Sequence, residues 1–239
     1  MRYEQVVPAR FLARPNRFVA QVELEGRIET VHVKNTGRCR ELLVPGCRVY
    51  LAHGQNPARK TAWDLIAAEK ERPGKPPLLI NLDSQAPNSA AEKWLRSGGL
   101  FGPGAEIRRE VRLKDSRFDF QIRQAGLETF LEVKGCTLEQ DGVALFPDAP
   151  TTRGQKHLHG LTAWAEQGQQ AVVLVVIQME EVRLFRPNWQ TDPAFARAML
   201  EAQRAGVRIL AVRCSVSPDR MEIMDSVPVE LEPEEEIAG

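Results

Sequence analysis

The chain lacks any run of about 20 apolar residues, the length a helix needs to cross a bilayer. Its start, Met1-Arg2-Tyr3-Glu4-Gln5-Val6-Val7-Pro8, lacks the apolar stretch of a secretory signal. Cysteine is scarce: Cys39, Cys47, Cys136 and Cys214 lie far apart and form no C-x-x-C pair. That argues against a zinc knuckle and against a disulfide framework. Net charge is absent too, with 32 basic against 32 acidic residues. Together these absences exclude a membrane-spanning helix and predict a cytoplasmic, reduced protein. With 239 residues, 43% of them hydrophobic, the chain has enough apolar side chains for one large or two small domains.

The zero net charge counts against a nucleic-acid partner only on average. Residues 1–60 carry eleven Lys or Arg against five Glu and no Asp, while Glu230, Glu232, Glu234, Glu235 and Glu236 crowd the C-terminus. The basic region is the electrostatic footprint of a phosphate-binding surface, or equally the solvated face of an ordinary domain. The acidic tail reads as a disordered end.

The first eighty residues read as five short strands, Phe18 to Leu24, Ile28 to Val33, Cys47 to Leu51, Lys60 to Ala68 and Leu78 to Asn81. Five strands separated by turns suit a small closed barrel of the oligonucleotide-binding (OB) kind. Between the second and third lies Lys34-Asn35-Thr36-Gly37-Arg38-Cys39-Arg40, a turn from which Arg38 and Arg40 would project toward a phosphate backbone. Lys70 to Pro77 reads as a solvated loop. A helix capped by Asn88 follows, then strands near 106–113, 117–123 and 128–134, a helix over 152–167, a buried strand over 171–178, a helix from Pro193 and a strand from Val207. Helix, three strands, helix, strand is the core order of the restriction-endonuclease-like fold. The expected fold class is therefore α/β overall, an OB-like barrel over 1–82 followed by a nuclease-like α/β domain over 83–239.

The most informative residues sit in that second part. Asp119 lies in the alternating stretch Arg117 to Ile122, and Glu132-Val133-Lys134 closes the next strand after the turn Gln124-Ala125-Gly126. A hairpin brings such positions onto adjacent strands. Glu132 and Lys134 share a face because side chains repeat every two residues. Two carboxylates with the Val133 carbonyl form an oxygen-rich set for Mg²⁺ or Mn²⁺, and the lysine stands beside it. Taken without context, the same pattern describes two solvated strand ends with an ion pair. Glu92, one helical turn before Arg96, reads as an exposed helix acid paired with it. Arg153, Gln155, Lys156 and His157 fall in the first turns of a helix, where unpaired N–H groups and the macrodipole favour an anion. His32, His53 and His159 stand alone and suggest no ligand.

Three sets of residues make the chain recognisable: Val33 to Arg38 with Leu42-Leu43 and Pro45-Gly46; Ser116 to Phe120 with Glu132 to Leu138; and above all Ala144 to His157. With these it resembles the family of sugar fermentation stimulation protein A. The resemblance implies an OB barrel joined to a nuclease-like domain of the PD-(D/E)xK class, and a DNA-binding protein linked to regulation of sugar use; it also implies that Glu92 matches a helix acid that serves nucleases of the wider fold as an extra metal ligand or as a base for water. The stretch Ile80 to Asn88 departs from the family pattern and leaves Asn81 without a role. The expectation is a nucleic-acid-binding protein, on DNA before RNA, with a metal-dependent nuclease site at Asp119, Glu132 and Lys134. The alternative is a non-catalytic DNA-binding regulator of sugar-metabolism genes. No membrane partner is expected, and a homodimer is left open.

Overall fold

The computed structural model describes residues 1–35, 37–54, 58–113 and 116–233. Six strands come first: β1 (Val6–Asn16), β2 (Val19–Leu24), β3 (Arg27–Val33), β4 (Arg48–His53), β5 (Trp63–Arg72) and β6 (Lys75–Asn81). β1 pairs antiparallel with both β2 and β4, β2 pairs with β3, and β4 with β5. A short parallel contact, His32 opposite Asp64 and Val33 opposite Leu65, closes the ring between β3 and β5. This is an OB barrel, with β6 added outside β5. Closure leaves the inward residues Phe11, Val22, Val31, Val49, Leu51 and Leu65 almost wholly buried.

Two expectations fail here. The barrel's first strand is Val6–Asn16, which Pro8, Pro15, Arg10 and Arg14 had disguised, and the segment expected as its fifth is the added β6. Prolines and register shifts mark β1 as an irregular strand, although it sits between two partners. Lys70 to Pro77 is likewise no solvated loop. β5 runs to Arg72 and returns through Pro73-Gly74 to pair Arg72 with Lys75.

The second part runs α1 (Ala86–Arg96), β7 (Glu106–Leu113), β8 (Ser116–Gln124), β9 (Leu127–Cys136), β10 (Leu138–Gln140), β11 (Val143–Phe146), α2 (Thr152–Ala165), β12 (Gln170–Ile177), β13 (Leu184–Pro187), α3 (Pro193–Arg204), β14 (Arg208–Ser217) and β15 (Arg220–Val227). Six strands form one sheet in the order β15-β14-β12-β9-β8-β7, and β10, β11 and β13 form a small second one. β12 lies parallel to both neighbours. Its Val173, Val175 and Ile177 join the core shared with α2 and α3, while Val172, Leu174 and Val176 join the core under α1. Burying six such side chains contributes on the order of 10 kcal/mol, comparable with a domain's whole net stability. That explains why no polar residue interrupts the run.

Among the described residues no helix is long and apolar enough to cross a membrane. Glu234, Glu235 and Glu236 lie outside the described residues. Glu230 and Glu232 are ion-paired with Arg186 and Arg204, so this part of the tail is tied to the domain.

A buried polar junction joins the barrel to the second sheet. Asp83, with no exposed surface, accepts hydrogen bonds from the Tyr3 hydroxyl at Oδ2, 3.2 Å, and from the Gln85 N–H at Oδ1, 2.9 Å, and Lys34 Nζ lies 2.7 Å from the same Oδ2. Asn81 donates to the Tyr3 hydroxyl and accepts from the Asp83 N–H. Gln178, just past β12, donates to the backbone carbonyls of Asn81 and Asp83. Asn81 thus gains a structural role. Removing one member of a buried ion pair leaves the other uncompensated. Lys34→Met is therefore expected to destabilise the protein by about 3 kcal/mol, read as a lower midpoint in guanidinium unfolding. A shift below a third of that would place Asp83's main support in Tyr3 and Gln85.

Candidate functional site

The hairpin of β8 and β9 positions the carboxylates. Ala125 and Gly126 both adopt positive φ, 51° and 79°, as a two-residue type I′ turn requires. From Gln124 opposite Leu127 the ladder runs to Phe120 opposite Leu131. At the next step the Asp119 side chain takes over: its Oδ2 accepts the Val133 N–H at 2.8 Å, and its Oδ1 accepts from Asn88 Nδ2 at 2.7 Å. Beyond that point β9 continues beside β12, with Glu132 opposite Val173 and Lys134 opposite Val175.

Glu132 and Lys134 share a face as expected, and Lys134 Nζ lies 2.6 Å from Glu132 Oε1. His157 Nδ1 approaches the same oxygen from α2. The other oxygen, Glu132 Oε2, is buried and has no hydrogen-bond partner. Such an orphan normally costs about 1–3 kcal/mol or more, a penalty that an ordered water or a cation at this oxygen would relieve.

The two acids are pulled in opposite directions. Burial and the charge of Glu132 push Asp119 up, against the opposing pull of Val133, Asn88 and Lys134. Burial also acts to raise Glu132, but the hydrogen bond from His157 and the charge of Lys134 outweigh it and hold that carboxyl below its usual range. The charge of Glu132 felt by Asp119 places the two carboxylates near one another.

The remaining expected residues divide. Glu92 is held by Arg96 at 2.9 Å and by Arg109 at 2.7 Å, a helical turn beyond Asn88. Asn88 was expected as the helix cap. The helix instead begins at Ala86 after Gln85, with Pro87 in the first turn where its missing N–H costs nothing, and this frees the Asn88 amide for Asp119. Pro87 was the signal for that role. On α2, capped by Thr151, Arg153 and Lys156 are exposed, whereas Gln155 donates to Asp192 at 3.1 Å and His157 is buried against Glu132. The expected phosphate group of four is thereby reduced to two outward cations. The reason is the helical period, which turns Gln155 toward α3's cap and His157 toward the sheet.

In the barrel loop, Asn35 Oδ1 accepts the Gly37 N–H, and Arg14 gathers the carbonyls of Asn35, Gly37, Arg38 and Arg17. Nothing in the sequence singled out Arg14. Arg38 and Arg40 project outward, while Thr36 lies outside the described residues. A Cβ at Gly37 would fall 2.7 Å from Asp148 Oδ2. The barrel loop therefore packs against the segment that leads into α2.

Among the described residues no three His, Cys, Asp or Glu side chains converge as a metal cage. The donor set is instead two carboxylates and backbone oxygen, which suits a hard cation that keeps waters and takes further ligands from a phosphate. The orphaned Glu132 Oε2 fits that use.

An OB barrel joined to a six-stranded α/β layer with paired acids and a lysine defines the class. Residues 12–75 match the model of the SfsA N-terminal OB domain, and residues 85–220 match that of the sugar fermentation stimulation protein RE domain. The chain belongs to the sugar fermentation stimulation protein family. It is 46% identical over 231 residues to a sugar fermentation stimulation protein homolog of Desulfitobacterium hafniense, covering 97% of this chain and 99% of that one. The homolog of Ruminiclostridium cellulolyticum is 44% identical over 231 residues, covering 97% and 100%. Among solved structures, Pyrococcus furiosus SfsA in complex with Ca²⁺ superposes with a TM-score of 0.85 at 31% identity, covering 96% of this chain and 98% of that one.

Because Glu132 titrates below its unfolded value, its stabilisation is complete above the unfolded pKa of about 4.3 and is lost as the pH falls through the lower folded value. Metal-free wild type is expected to lose more stability than Glu132→Gln as the pH falls from about 5 to about 3, as measured by guanidinium unfolding at each pH. Equal losses would show that Lys134 and His157 do not favour the ionised form.

Proposed function

We propose that this protein binds nucleic acid, DNA first, and hydrolyses its phosphodiester bonds at Asp119, Glu132 and Lys134 with Mg²⁺ or Mn²⁺. The observation that carries the reading is Glu132 Oε2, buried and unpartnered beside Asp119 while Lys134 and His157 secure the other oxygen. Asp119, Glu132 and the Val133 carbonyl would hold the metal, and Glu92 is left to its arginines. The bound ion supplies Lewis acidity and a water of lowered pKa. Lys134 places a positive charge where the attacked phosphate gains negative charge, and its position is fixed by Glu132. His157 keeps Glu132 ionised and oriented. Asn88 and the Val133 N–H do the same for Asp119. Arg38, Arg40, Arg153 and Lys156 offer exposed cations to the flanking backbone, which makes affinity salt-dependent and largely independent of sequence. The relative solved with Ca²⁺ supports a hard-cation site in this family.

A second reading, a DNA-binding regulator that does not cut, is favoured by the description of the relatives as sugar fermentation stimulation proteins. Labelled single- and double-stranded DNA and RNA, incubated with Mg²⁺ or Mn²⁺, separate the two. Cleavage is expected in wild type, and Lys134→Ala should lower turnover by a factor on the order of a hundred or more while leaving binding intact. Binding without cleavage in wild type, across both metals and all four substrates, would establish the regulator instead.

A further inference from the structure

Side chains two positions apart in a strand share a face, and β7 and β8 both break that rule at one place. In β8, Phe118 and Phe120 are each fully buried, yet Phe120 joins the core under α1 and Phe118 the core shared with α2 and α3. In β7, Ile107 goes with Phe120, whereas Val111 and Leu113 pack with Phe118. The ladder brackets the change. Arg109 stands opposite Phe120 and Val111 opposite Phe118, while the two residues between them, Glu110 and Asp119, form no pair. Both strands therefore turn over at the step that holds the aspartate of the paired acids.

Glu110 carries the dihedral angle that accounts for the turn. Its φ is 52°, and a residue moved from the extended to the left-handed region rotates the strand beyond it about its own axis, as in a β-bulge. Among the described residues no other non-glycine has a positive φ inside a strand; Glu25, Ala125 and Asp141 each precede a positive-φ glycine in a hairpin turn. The conformation is unfavourable for a glutamate, whose Cβ crowds the neighbouring carbonyl, and it persists only where the surroundings enforce it. Nor does the side chain explain it. The Glu110 carboxylate meets Arg117 at 3.4 Å with both side chains more than half exposed, and a surface pair of that kind contributes little.

The consequence appears at β9. Continued regularly from Phe120 opposite Leu131, β8 would set the Asp119 backbone against Glu132 and put Phe118 on the face of Val133, under α1. Turned over, β8 instead leaves the Val133 N–H to the Asp119 carboxylate at 2.8 Å, with Asn88 Nδ2 2.7 Å from its other oxygen. The same turn carries Phe118 to the opposite side, where its ring centroid lies 5.9 Å from that of His157, the histidine bonded to Glu132. We infer that Glu110 is a positioning residue for the metal: its left-handed backbone, not its carboxylate, aims Asp119 and seats Phe118 behind the Glu132–His157 pair. This rests on the metal reading above and adds to it a residue on a strand that carries no ligand.

Isothermal titration of Mn²⁺ into the metal-free full-length protein is the test, with thermal unfolding of each variant alongside. Glu110→Gly and Glu110→Val remove the same carboxylate, but glycine accepts a positive φ and β-branched valine opposes it. The glycine variant is expected to bind Mn²⁺ within about twofold of wild type. The valine variant, drawn back toward the extended region, should bind at least about tenfold more weakly, the loss that follows when the support of a metal ligand is removed. Glu110→Asn, tolerated in the left-handed region, should track glycine. Equal affinity in the folded glycine and valine variants, whether retained or lost, would overturn the inference and leave the metal site standing, even where valine lowers the unfolding temperature. Should the valine variant not fold, Glu110→Ala takes its place, with weaker binding than glycine expected and equality overturning the inference. Wild type that binds no Mn²⁺ would overturn the metal reading together with this one.

Discussion

Much of the architecture hangs on a carboxylate that water does not reach. Asp83 follows directly on the barrel's last strands and sits where the barrel, α1 and the large sheet converge. An ionised carboxylate at zero exposure is tolerable only when paired and hydrogen-bonded. Its partners come from three places: Lys34 from the end of β3, Tyr3 from the first residues of the chain, and the Gln85 N–H from the start of α1. The last of these sets where α1 begins. Three residues on, the same helix delivers Asn88 to Asp119, so the geometry of the acidic pair depends in part on how the barrel is docked.

Around that pair, the arrangement of charge is asymmetric. Glu132 has a lysine and a histidine on one oxygen and none on the other, whereas Asp119 has only neutral donors on both. One acid is thus held firmly ionised, and the other is burdened by burial and by its neighbour's charge. A cation placed between them would relieve the strain on Asp119 and give Glu132 Oε2 its missing partner at once.

How much of this could be read from the chain depended on the range of the interactions. The period-two logic that put Glu132 and Lys134 on one face, and the apolar run of β12, are local properties and carried over directly. Asn88 was misassigned because an Asn before a helical stretch is ordinarily a cap, and only the preceding Pro87 hinted at an earlier start. His157 was grouped with its sequence neighbours at a helix N-terminus, yet a helix distributes consecutive residues around its axis, and its partner lies 25 positions away. β1 was missed for the opposite reason: its prolines and arginines argue against a central strand, and only ring closure makes the strand obligatory. Arg14, Tyr3 and Gln178 act across separations that no local pattern encodes.

The polar junction also bears on the order in which the protein can be completed as it is synthesised. Tyr3 and Asn81 emerge early, and all the strands of the barrel are available once β6 has been made. The contacts that settle Asn81 and Asp83 include Gln178, 97 positions after Asn81, and the Tyr3 N–H bonds to the carbonyl of Asp219. Contacts so distant in sequence form late. The barrel, made first, therefore waits for most of the rest of the chain before its own buried charge is fully enclosed, and folding of the two parts is sequential in synthesis but joint in completion.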